Sequence, residues 1–187
     1  KEFDCYKKLP FTPIATNEIE LPLDVKLAIG MPDMYQIHPV KFTDELTKLA
    51  VQAGVTIHTN TRIVKIVPSK KTVISDNQIE IQCKHLLLCT HYPIESIRNF
   101  YTVKLKILRS YLSAVPTFDL LNNHYYNIDN PARTIRTALI GDRPYLLYGG
   151  GTHFAGTVRE TTPYYEALQD ELKTVFQITD KPVVWSS

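Results

Sequence analysis

The chain has 187 residues, 44% of them apolar and 21% charged, with a formal net charge of +2. That composition belongs to a globular protein with room for one sizeable core and excludes a disordered chain. The charge is small and scattered in pairs such as Lys7-Lys8 and Lys70-Lys71, which argues against nucleic acid or an anionic membrane as partner.

The first forty residues are extended and punctuated by Pro10, Pro13, Pro22, Pro32 and Pro39. Lys26 to His38 carries a strand-like pattern, with Pro32 marking an edge or a bulge. His38-Pro39 then opens a helix, where a lone histidine reads as a hydrogen-bonder at the helix start. Phe42, Leu46, Leu49, Ala50 and Ala53 recur at helical spacing, and Gly54 follows as a C-cap. Short strands come next: Val55 to Ile57, Ile63 to Val67, Thr72 to Ile74 and Gln78 to Ile81. One helix followed by strands of hairpin-like rhythm points to α/β or α+β organisation.

Leu86-Leu87-Leu88-Cys89 reads as a strand buried on both faces, running into a polar turn that Pro93 stops. Ligands of open α/β sheets gather beyond the carboxyl ends of such strands, which singles out Thr90, His91 and Tyr92. Cys83-Lys-His85 and Cys89-Thr-His91 raise the question of a metal. One strand through these residues separates Cys83 from Cys89 by about 20 Å at roughly 3.3 Å per residue. A single zinc ion holds its ligands at about 2.0–2.3 Å, so no metal site is expected. Cys89 reads as a small buried hydrophobe. With Cys5 the cysteines number three, which cannot all pair internally, and the setting they imply is reducing and cytoplasmic. No signal peptide is visible after Lys1, and no apolar run approaches the length of about 18 residues that suggests a membrane span.

The second half is a run of strands: Ile107 to Val115, Tyr125 to Ile128, Thr134 to Ile140 and Tyr145 to Tyr148. Arg109 and Tyr111 share one face of the first of these, and a buried arginine there would need an acid or an anionic ligand. Arg133 and Arg136 raise the same question, although both also fit a solvated edge. Gly149-Gly150-Gly151 removes three Cβ atoms at a strand exit, which permits close approach by another backbone or a planar ligand, or simply a bulge and turn. His153 stands just beyond. Thr162, as N-cap, and Pro163, at N1, start a helix whose apolar stripe is Tyr165, Leu168, Leu172, Val175 and Phe176. Val183-Val184-Trp185 begins a last strand. The sequence contains no Gly-x-Ser-x-Gly, His-Glu-x-x-His, Cys-x-x-Cys or Gly-x-Gly-x-x-Gly, so hydrolase and metallopeptidase readings have no local support.

Taken in order, Ile37 to Phe42, Gly54 to Ile57, Asn60 to Val64, His85 to Pro93, Leu108 to Tyr111, Tyr145 to His153 and Trp185-Ser186 resemble a known family. It is that of the flavin-dependent D-amino-acid-oxidase-type oxidoreductases, with glycine and sarcosine oxidases among them. The Thr90-His-Tyr-Pro93 turn together with Arg109-Ser-Tyr111 is most similar to a bacterial branch that often carries a C-terminal Rieske domain. The resemblance implies an α+β fold: an antiparallel substrate-domain sheet with flanking helices, plus part of an α/β FAD-binding domain. Residues 1–38 and 100–187 would form the substrate domain, and residues 39–99 the partial FAD-binding domain.

The same resemblance implies roles for named residues. The backbone at Ile63 would contact the adenine end of FAD, and Thr90, His91 and Tyr92 would form a turn beside the flavin. Arg136 and His153 would face the substrate side, with Arg109 and Tyr111 close by. The family's N-terminal glycine-rich strand–turn–helix and its C-terminal closing segment are missing from this sequence. The expectation is therefore the central fragment of an enzyme that oxidises an amine or amino acid by hydride transfer to FAD. The fragment alone is expected to be inactive and to hold no FAD, and any Rieske 2Fe-2S cluster would lie outside this chain. Its partners would be the small-molecule substrate and the missing parts of the same polypeptide, not nucleic acid or membrane. The alternative is a non-catalytic interaction module derived from the flavoprotein substrate domain.

Overall fold

The structure is a computed structural model that describes residues 2–91 and 104–187. In chain order its elements are α1 (Glu2–Tyr6), β1 (Ile14–Thr16), β2 (Ala28–Gly30), α2 (Pro39–Gln52), β3 (Ile63–Val67), β4 (Thr72–Ser75) and β5 (Glu80–Gln82). After them come β6 (Leu108–Pro116), β7 (Tyr125–Tyr126), β8 (Arg133–Ile140), β9 (Arg143–Phe154), α3 (Thr162–Val175) and β10 (Val183–Ser186). Mixed helices and antiparallel sheets make the fold α+β. The chain divides into two compact units, Lys1–Asp33 with Lys106–Ser187, and Met34–Leu105.

The first unit is built on a five-stranded antiparallel sheet in the order β10-β6-β9-β8-β7. Period-two alternation decides which side chains go inside. On β6 Tyr111, Ser113 and Val115 are fully buried, and on β8 Arg133, Ile135 and Thr137 and on β9 Leu146 and Tyr148 are buried. Helix α3 covers this face with Leu168 and Leu172, four residues apart on one stripe. Each such large apolar side chain contributes about 1.5–3 kcal/mol by leaving water. The helix starts one residue earlier than its sequence suggests. Thr161 is the N-cap, and the Glu160 carboxylate accepts from Thr162 N at 2.9 Å, which satisfies a free first-turn donor.

An ion pair fastens helix to sheet. Arg133 Nε donates to Glu171 Oε2 at 2.7 Å, Nη2 pairs with Glu171 Oε1, and the Tyr148 hydroxyl also donates to this carboxylate. The hydrogen bonds from Arg133 hold the Glu171 carboxyl below its usual range, while burial and then the Glu171 carboxylate push the Tyr148 phenol up. A second clasp joins the N-terminal segment to the loop before β7. Glu20 accepts from the backbone N–H groups of Asn122 and Asn123, at 3.1 and 2.9 Å, and from the Tyr125 hydroxyl at 2.9 Å. Burial works to raise the Glu20 carboxyl, but these donors outweigh it and hold the group low.

The glycine run is not a turn, because β9 continues through it to Phe154. A Cβ on Gly150 would lie 2.5 Å from Ala132 O and 2.7 Å from Arg133 Nη1, and one on Gly151 2.9 Å from the Tyr164 ring. The space is thus taken by the chain's own arginine and tyrosine. Gly151, at φ +69°, also supplies the left-handed residue of a bulge between the Arg109–His153 and Tyr111–Gly150 pairs.

In the second unit β3, β4 and β5 form an antiparallel meander. His38 Nδ1 accepts from Lys41 N at 3.3 Å, capping α2 as its position before Pro39 suggests. At the other end Gly54 adopts φ +92°, with Val55 N bonded to Ala50 O and Gly54 N to Val51 O, a Schellman close. Two expected strands do not form. Val55–Ile57 is irregular, and so is Leu86–Cys89, where Leu87 is 87% exposed and Cys89 lies at the surface. A run of apolar residues becomes a buried strand only where neighbours offer a ladder and a cover. Here a backbone bond joins Cys83 N to Lys71 O at 2.9 Å, Leu86–Cys89 pairs with no strand among the described residues, and α2 buries none of its own residues.

Replacing Glu171 by Gln leaves Arg133 an uncompensated interior cation, and urea unfolding should show a loss of about 3–5 kcal/mol. The double change Arg133→Met with Glu171→Leu should be close to neutral by the same measurement. Because the Glu171 carboxyl is lowered from 4.5, its stabilisation is present above that pH and disappears as the pH falls through the lowered value. The Glu171→Gln variant should therefore show a flatter acid limb. Gly150→Ala should cost about 1–3 kcal/mol through overpacking against Ala132 and Arg133.

Candidate functional site

The sheet of the first unit has a second face, opposite α3. Directly opposed residues of antiparallel strands share a face, so the register defines it. One row runs Tyr126, Thr134, Gly149, Leu112 and Trp185, and the next runs Arg136, Leu147, Ala114 and Val183. Tyr126, Val183 and Trp185 are exposed, and Thr134, Arg136, Leu147 and Leu112 are half-buried. Among the described elements of this unit, α3 packs on the other face. Arg136 is therefore a guanidinium set into an apolar, uncovered sheet surface, with no carboxylate bonded to it among the described residues. Arg133, three residues away on β8, points to the interior and is satisfied by Glu171. Of the two arginines, the one with a free charge faces outward.

The other candidate residues of this unit lie on the helix side. Tyr111 is fully buried. Its ring stacks on Tyr164 at 4.8 Å between centroids and 9° between planes, and meets Tyr165 edge-on at 4.9 Å. Burial raises its phenol, the nearby Arg109 charge opposing. Its hydroxyl reaches His153 Nε2 at 2.8 Å, while His153 Nδ1 lies 2.9 Å from the Phe154 carbonyl oxygen. A carbonyl only accepts, so Nδ1 carries the proton and Nε2 accepts from Tyr111. Both ring nitrogens are thus occupied, and the imidazole packs against Tyr164 at 4.8 Å. Arg109 pairs across the strands with His153 and is exposed. Tyr111, His153 and Arg109 therefore form one group, and Arg136 lies on the opposite face.

On the helix side an open cleft of about 380 Å³ lies between α3 and the start of β8, lined by Pro131, Arg133, Pro163, Tyr164, Ala167 and Glu171 among others. Its charged groups already satisfy each other.

In the second unit Ile63 begins β3, opposite Ser75, and the ladder slips between Ile63 and Lys65. Thr90 and His91 lie at a bend, His91 at φ +61°, while Tyr92 falls outside the described residues. Among the described residues no group of three or more His, Cys, Asp or Glu is gathered to hold a metal, and no helix is long and apolar enough to cross a membrane. Sequence reasoning passed over His124, which immediately precedes β7 and lies near enough to Arg136 for its charge to act on the imidazole. The signal lies only in the pairing of β7 with β8.

The protein-family model of FAD dependent oxidoreductases, DAO, matches residues 7–186. Among curated proteins the chain is similar to the putative Rieske 2Fe-2S iron-sulfur protein YhfW of Bacillus subtilis (strain 168), with 25% identity over 188 residues. That alignment covers 100% of this chain and 37% of the relative, so the chain spans little more than a third of the relative's length. No solved structure gives a significant match. The match from residue 7 to residue 186 takes in parts of both units and all ten strands among the described residues: the chain belongs to the FAD-dependent oxidoreductase family.

Proposed function

We propose that the chain is the central part of an enzyme that oxidises an amine or amino acid, and that the uncovered face of the five-stranded sheet is its substrate side. The observation that carries this reading is Arg136, a half-buried cation on an apolar surface, with no carboxylate partner among the described residues. A guanidinium offers two parallel donors to a carboxylate, which fixes both the position and the orientation of the bound molecule. Leu147, its direct partner on β9, would exclude water on that side and strengthen the contact.

The family's cofactor fits the apolar character of this face, which suits a planar conjugated ring. FAD, when bound, supplies the hydride acceptor for oxidation of the carbon bearing the amine. The residues of this chain then bind and orient. Arg136 anchors the carboxylate, while Tyr111 and His153 keep the β6–β9 end rigid from beneath. With both nitrogens engaged, His153 serves to hold this strand end in place. Residues 39–99 would contribute the adenine side of the cofactor site through Ile63 and the turn at Thr90 and His91, with Tyr92 following.

The exposed apolar residues of α2 and of Leu86–Leu88 are, in this reading, surface that further polypeptide covers in the full-length protein. The relative's name supports placing a Rieske 2Fe-2S cluster elsewhere in that protein, as an acceptor of electrons.

Replacing Arg136 by Met in the full-length enzyme should raise KM for a carboxylate-bearing substrate about ten- to a hundredfold, the worth of a hydrogen bond to a charged group, with the unfolding midpoint nearly unchanged. An unchanged KM would remove Arg136 from the site. The 187-residue chain by itself should purify without stoichiometric FAD, as read by absorbance in the flavin bands, and a yellow sample would contradict this.

A further inference from the structure

Tyr125 pairs with Ile135 and Tyr126 with Thr134, and His124 is the residue just before this ladder, where one further step of the same register would meet Arg136. Tyr125 packs against the core, which turns His124 and Tyr126 to the uncovered face, where alternation along β8 also puts Arg136. The two groups sense each other. The protein atoms that displace water from His124, and then the positive charge of Arg136, hold its imidazole below the ordinary histidine value, although much of the ring stays exposed. Two further ionisable groups belong to this segment, Tyr126 on β7 and Glu20 bound to the loop before it. The latter is engaged by Asn122, Asn123 and Tyr125 on the side to which Tyr125 points.

We propose that His124 is the second anion-contacting group of the Arg136 site, so that a carboxylate binding there brings a proton onto His124. The proposal rests on reading Arg136 as the carboxylate anchor. In the free protein the Arg136 charge disfavours an imidazolium beside it. A bound carboxylate offsets that charge and gives the imidazolium a partner of its own, so binding and protonation support each other. The site is then one for a substrate anion, held more tightly as the pH falls through the histidine range.

Calorimetry of the full-length, FAD-loaded protein titrated with acetate, in two buffers of different ionisation heat, reads the proton uptake directly. The expected result is uptake of up to about one proton, with affinity rising about three- to tenfold between about pH 7.5 and pH 5.5. His124→Gln, or His124→Asn if that variant does not fold, should bind acetate without either effect. Uptake and pH dependence that persist in both variants would overturn the proposal while leaving the Arg136 anchor standing. If Arg136→Met binds acetate as tightly as the parent, or the parent does not bind it, the anchor itself fails and this proposal with it.

Discussion

The Arg133–Glu171 pair, with the Tyr148 hydroxyl on the same carboxylate, decides which side of the five-stranded sheet is interior. A buried guanidinium is tolerated only with its acid in place, and that acid sits on α3. The helix is therefore held at the position where Leu168 and Leu172 fill the core over Tyr111, Val115 and Ile135. The same pair explains the glycines of β9, since the Arg133 side chain and Tyr164 occupy the volume that side chains at 150 and 151 would need. Seating the helix on one face leaves the other without a covering helix among the described elements of this unit.

That division gives two arginines on one strand opposite fates. Arg133 and Arg136 are an odd number of residues apart, so strand alternation sends them to opposite faces. One is neutralised by Glu171 and its role is cohesion. The other keeps its charge beside Leu147, its partner on β9, with His124 just before the β7 residues that pair with β8. Stability and ligand chemistry are thereby separated within a single β-strand, and a change at one position need not disturb the other.

Much of the first unit was legible in the sequence, because β6, β8 and α3 each display the periodicity of a one-sided element. The order of motifs also carried the family, which no single motif could. What stayed hidden depends on contacts distant in the chain. Glu171 is the partner of Arg133 across 38 positions, and nothing local announces it. The glycine run allowed several readings, and only the packing of Arg133 and Tyr164 chooses among them. His124 looks like an isolated loop histidine until β7 is paired with β8. Leu86–Cys89 misled for the converse reason: apolarity records a demand for cover, and the described residues of the second unit do not meet that demand. Tyr111 shows the limit for the site itself, since sharing a face with Arg109 leaves open whether that face meets solvent or a helix.

The central claim is that the two faces of this sheet divide their work, one cohesive and one for the substrate. Amide hydrogen exchange of the full-length protein, with and without a carboxylate ligand, tests it most directly. The account predicts added protection in β7 and β8, around residues 124–126 and 134–138, with α3 unchanged. Protection concentrated instead at residues 163–171 of α3, where the Arg133–Glu171 cleft opens, would contradict it.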